Sequence, residues 1–138
     1  KDMESVRYND GKIRLMVNDD PERVIAFDPS DVCFVNRYFE LCNFIEEKQT
    51  EYLKEAAEID KLKEGKERRG FQLYQTMCED IKGQIDYVFG EGTSRAYFGN
   101  SVRLDMFEQF LNSIIPYVQK ARADKMRPYL QQNAGGTL

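Results

Sequence analysis

The chain has 138 residues, of which 41% are hydrophobic and 32% charged, and its formal net charge is −4. That length supports one domain with a single core, and the acidic balance excludes the basic footprint of a generic nucleic-acid binder. No apolar run approaches the roughly 18–20 residues of a membrane span, and no secretory leader is expected.

The first ordered element is read at 12–27. In KIRLMVN (12–18), Ile13, Leu15 and Val17 fall on one face, and RVIAF (23–27) is a second β-prone run. DDPE (19–22) lies between them, with Pro21 able to preset φ in the turn. Two strands alone are marginal in water, so this hairpin must lie on an apolar support.

FDPSD (27–31) reads as a helix start, with Asp28 as cap, Pro29 in the first helical position and Asp31 in the first turn. A long helix is expected over 29–64. Its first half carries Val32, Val35, Tyr38, Phe39, Cys42 and Ile45, and Phe34, Leu41 and Phe44 add a second apolar side. That is more than one packed face needs, so this half is central or touches two neighbours, a second copy among them. From Glu46 to Arg69 acidic and basic residues alternate around a thin stripe of Tyr52, Ala56, Ile59 and Leu62. Pairs such as Glu51/Lys54 and Glu64/Arg68 stand at helical spacing. The stretch reads either as a solvated helix extension or as an arm that grips a partner, with Gly65 and Gly70 bracketing the break after it.

The next helix is expected over 71–89, where Phe71, Tyr74, Met77, Cys78, Ile81, Ile85 and Val88 follow i, i+3, i+4 spacing and Gly90 provides the stop. Thr93 or Ser94 then caps a short helix over 93–98 that Gly99 ends, with Tyr87, Phe89, Tyr97 and Phe98 pinning the corner to the core. A last helix over 102–126 buries Phe107, Phe110, Leu111, Ile114, Ile115 and Val118, is kinked near Pro116 and ends in a basic turn. Residues 131–138 read as a flexible tail. The expected fold is α+β and predominantly α: one domain over 1–138, with the hairpin packed on three main helices and a short helical turn.

Chemistry-bearing motifs are sparse. There is no histidine, which removes the commonest general base and metal ligand. Cys33, Cys42 and Cys78 form no CxxC and read as small buried hydrophobes in a reducing cytosol rather than as redox or metal groups. GEGT (90–93) lacks the GK[ST] ending of a phosphate loop, and no strand precedes it. The expectation is therefore a non-enzyme with no catalytic, cofactor or metal residues.

AFDPSDVCFVNRYFEL (26–41), the charged middle helix, IDYVFGEGTSRAYFG (85–99) and FEQFLNSIIPYVQK (107–120) together resemble a family of small proteins encoded in the tail region of phages and prophages of Gram-positive bacteria. The resemblance spans nearly the whole chain and implies a tail assembly chaperone, acting in the bacterial host cytoplasm. Its implied partners are the tape measure protein and tail tube subunits; the doubly apolar helix adds an expectation of self-association, and charge and hydropathy leave out nucleic acid and membrane. Within the matched motif it points to Phe89, Gly90, Gly92, Thr93, Tyr97, Phe98 and Gly99 as partner-binding candidates. Phe34 and Phe44 join them from the doubly apolar helix. Two other classes stay open: a structural tail or connector component of the virion, and a small phage effector that binds a host protein.

Overall fold

The computed structural model describes residues 2–136, with side chains to Asp124. The fold is α+β and predominantly α. Strands β1 (Ile13–Val17) and β2 (Asp20–Phe27) form an antiparallel hairpin, followed by α1 (Val32–Asp60), α2 (Lys66–Phe89), the short α3 (Thr93–Phe98) and α4 (Leu104–Gly136).

The hairpin turns at Asn18 and Asp19, with φ of 52° and 60°. Positive φ at both central residues matches the right-handed twist of the flanking strands. The expected turn at DDPE is therefore displaced: Asn18-Asp19 tolerates the left-handed region, and Pro21 falls inside β2. The register slips between Met16 and Val17, which pair with Val24 and Asp20; a proline without an N–H is accommodated at such an irregularity. Leu15, Val17, Ile25 and Phe27 face the core, while Met16 and Val24 form an exposed pair on the other side.

Asp31, rather than Asp28, caps α1, its carboxylate accepting the Cys33 N–H at 2.9 Å. Asp28 instead builds the preceding turn by accepting the Ser30 N–H at 3.0 Å, which places Pro29 before the helix. α1 buries Phe34, Tyr38, Leu41 and Ile45. Val32 and Phe39 stay exposed and Cys33 lies at the surface, so the apolar surplus of this helix is only partly spent inside.

α1 ends at Asp60 and α2 starts at Lys66, the left-handed Gly65 standing at the junction. Gly70 lies within α2 and does not break it. The core stripe of α2 is Met77, Cys78, Ile81, Ile85 and Val88, as the spacing predicts, ending in Phe89. Phe71 is an exception at 69% exposure, because it lies beyond the reach of the core.

α4 buries Phe107, Phe110, Ile114 and Val118, with Leu111 and Ile115 partly covered. It runs unbroken through Pro116 to Gly136, past the expected end at 126 and into the stretch expected to be a tail. RPYLQQNA contains no glycine to end the helix; residues 137–138 lie outside the described residues. The basic residues from Lys120 onward therefore sit along the helix, not in its last turn. The start of α4 is fixed from α2, where the Tyr74 hydroxyl accepts the Leu104 N–H at 2.7 Å.

Candidate functional site

The GEGT corner is assembled from both ends. At the close of α2 the Gly90 N–H bonds to the Asp86 carbonyl at 2.8 Å, with Gly90 at φ 114°. Gly92, at φ 91°, opens α3, and Gly99, at φ 59°, closes it. Thr93 and Ser94 are not the caps; they lie inside α3 and are buried. The polar groups of Ser94 are satisfied by α2: its N–H donates to Asp86 Oδ1 and its hydroxyl to the Lys82 carbonyl, each at 2.8 Å.

The other end of α3 is held by a residue that sequence reasoning passed over. Arg23 of β2 donates from Nε to the Ala96 carbonyl and from Nη2 to the Tyr97 carbonyl, both at 2.7 Å. A guanidinium fork there satisfies two carbonyls that a six-residue helix leaves without partners and complements the negative end of its dipole.

Below the corner lies an aromatic cluster. The Phe89 ring centroid is 5.1 Å from that of Phe34 and 5.0 Å from that of Phe110. Tyr97 lies 4.8 Å from Phe98 and 5.0 Å from Phe110, and Phe27 stacks on Phe34 at 5.5 Å. Most of these contacts are edge-to-face, the geometry that ring quadrupoles favour. Of the sequence candidates, Phe34, Phe89, Thr93 and Phe98 are thus buried, Tyr97 is partly covered, and Gly90, Gly92 and Gly99 are exposed. Phe44 stands apart on α1, partly covered, with the Lys48 ammonium 5.4 Å from its ring centroid. Tyr87, expected to pin the corner, is instead 61% exposed, and the Arg37 guanidinium lies 5.2 Å from its ring. The corner is a fastening point whose aromatic side chains are turned inward.

The accessible surface with most character lies at the other end of the α1–α2 pair. No residue from Glu46 to Thr76 is buried. The two helices meet there through Tyr52 and Tyr74, whose ring centroids are 5.8 Å apart, and through Lys48, which pairs with Glu51 at 3.3 Å and Asp80 at 3.7 Å. The hydrogen bond that Lys48 donates to the Glu51 carboxylate, ahead of the charges around it, raises the Lys48 pKa. The pairing differs from the one expected, since Glu51 engages Lys48. Leu53 and Phe71 project from this arm at 67% and 69% exposure.

Burial raises the Cys42 and Cys78 thiols and the Tyr38 phenol, the last with Cys42 beside it. This is opposite to the shift that activates a thiolate. Among the described residues no three His, Cys, Asp or Glu side chains gather as a metal-binding group, and no helix is long and apolar enough to cross a membrane.

A family model matches residues 22–135, from β2 through the arm, the corner and nearly all of α4. The chain belongs to this family of unknown function (DUF6673). The DUF6673 match leaves out β1 and the segment before it. No curated protein and no solved structure matches the chain.

Proposed function

We propose that this DUF6673 chain is a non-enzymatic phage tail assembly protein: a chaperone that binds the tape measure protein, tail tube subunits, or both, in the cytoplasm of the bacterial host. The observation that supports a partner-binding role is the arm. Two helices continue well past the last buried positions at Ile45 and Met77, packed on each other and tied to the rest of the fold through Tyr74, with Leu53 and Phe71 held out to solvent. Folding this length without a core sacrifices burial that a self-sufficient domain would use. A client helix laid along the arm supplies the missing apolar contact, as in helix-in-groove recognition. The charged flanks keep the free arm in solution. The tail assignment comes from the sequence resemblance and goes further than the arm.

The test is co-expression with the tape measure protein encoded in the same genome, followed by affinity capture and mass determination. A soluble complex carrying several copies of the chain supports the proposal, as does its loss when Leu53 and Phe71 are replaced by serine. A chain that leaves the tape measure protein insoluble and uncaptured overturns it. A ring recovered in purified particles would point to a virion component instead.

A further inference from the structure

The segment before β1 carries three large apolar side chains that touch almost nothing: Met3, Val6 and Tyr8 are 92%, 94% and 86% exposed. Val6 and Tyr8 alternate with the polar Ser5 and Arg7, the pattern of a half-buried strand. Beside it, β1 pairs only with β2 among the described residues, so its outer edge offers open N–H and C=O groups. That edge borders a groove between the hairpin and α4, whose apolar lining includes Leu15, Val17, Ile25, Tyr97, Met106 and Ile114. The chain thus holds two uncovered surfaces, a segment with strand-like alternation outside any sheet and a sheet edge without a neighbour.

We infer that two copies of this chain exchange these segments. Residues 4–8 of one copy add as a strand to the outer edge of β1 in the other, with Val6 and Tyr8 seated toward the groove. Five residues of extended chain span about 17 Å at roughly 3.3 Å each, the length of a five-residue β1. Charge does not oppose the pairing: Glu4 and Arg7 leave residues 4–8 neutral, opposite a β1 whose one charged side chain is Arg14.

The joint between the halves favours exchange over closure on the same chain. The Gly11 N–H donates to Asn9 Oδ1 and the Lys12 N–H to Asp10 Oδ1, both at 3.0 Å, and Asp10 also pairs with Arg14 at 3.1 Å. Gly11 sits at φ 68°, and a Cβ there would meet the Asp28 carboxylate at 2.9–3.0 Å. The segment beyond this joint, with Val6 and Tyr8 at 94% and 86% exposure, does not cover its own strand, and a second copy satisfies both exposed surfaces by a two-fold, isologous contact. This inference stands apart from the tail reading: a dimer that binds no tail protein leaves it intact, and a monomeric chaperone refutes it alone.

The experiment is light scattering of the full chain over a dilution series, with hydrogen exchange of the β1 amides on the same samples. The expected result is a dimer with protected β1 amides. In a Val6→Asp/Tyr8→Asp variant, the dimer dissociation constant should rise at least roughly tenfold and the β1 protection should fall. These side chains make no core contact, so the variant should fold, and Val6→Ile/Tyr8→Phe should still dimerise. A monomer at every concentration overturns the inference, with β1 protection then showing that the segment closes on its own chain. A dimer indifferent to the Val6 and Tyr8 changes overturns it equally.

Discussion

Arg23 on β2 and Tyr97 at the end of α3 are 74 positions apart, yet a guanidinium nitrogen of the first lies 2.7 Å from the carbonyl oxygen of the second. With the matching bond to Ala96, this contact ties the hairpin to the glycine-bounded corner. Hydrogen bonds to charged groups contribute about 1.5–3 kcal/mol each, and a stranded carbonyl adds a desolvation cost. Arg23→Ala is therefore expected to lower unfolding free energy by about 2–3 kcal/mol in urea titration. Arg23→Lys should recover less than half of the loss, because a point-like ammonium does not bridge two carbonyls in a fixed fork.

Two glycines should respond in opposite directions to the same change. Gly83 lies within α2, and a Cβ there would meet nothing within 4 Å. Gly83→Ala should stabilise the protein by about 0.5–1 kcal/mol by restricting the unfolded chain. Gly92 is equally open but sits at φ 91°, where a side chain strains the backbone. Gly92→Ala should cost about 1–2 kcal/mol. Thermal melts of the two variants, read side by side, check both signs.

Phe89 and Phe44 entered as equal candidates on the sequence and should separate in the laboratory. Phe89 meets Phe27, Phe34 and Phe110, so Phe89→Ala should cost about 3–5 kcal/mol and expose the cluster. Phe44 is only partly covered, and Phe44→Ala should cost no more than about 1.5 kcal/mol. Equal losses in denaturant titration would contradict the burial described above.

Alkaline pH should destabilise the fold through Cys78. Burial pushes this thiol from 9.0 up to about 11. The unfolded chain therefore releases the proton first, so this residue's contribution is whole below pH 9 and is lost as pH rises toward 11. Cys42 and Tyr38 are shifted in the same direction. Melting temperature measured from pH 8 to 11 in reducing buffer should fall. Cys78→Ala should begin less stable but show a shallower fall than the parent, and parallel curves would exclude Cys78 as the cause.

What could be read from the chain alone was whatever local spacing controls. The α2 stripe from Met77 to Val88 and the stop at Gly90 follow from helical period and glycine geometry. The inward face of Leu15, Val17 and Phe27 follows from strand alternation. Errors arose where two local solutions compete. Pro21 drew the turn toward DDPE, though Asn18-Asp19 adopts the left-handed pair that a two-residue hairpin requires. Asp28 and Asp31 are both credible caps, and the Ser30 and Cys33 bonds show how they divide the work. Phe71 looks like core because periodicity carries no information about where the core stops, and Tyr87, expected to pin the corner, stands on the outward side of α2 next to buried Val88. Within the corner, the glycines were legible as its hinges. The hold of Arg23, and the role of Asp86 and Lys82 in satisfying Ser94, depend on tertiary approach and leave no trace in spacing.

The bond from Leu104 to the Tyr74 hydroxyl gives the arm a mechanical meaning. Tyr74 also touches Tyr52 across the arm and stands one turn before the first buried residue of α2. It is a fulcrum: a load that levers the two helices apart at their far end would turn this ring, and the first turn of α4 would lose its anchor. Force applied to the tip would thus reach the first turn of α4, a helix that lies beyond both arm helices in the chain.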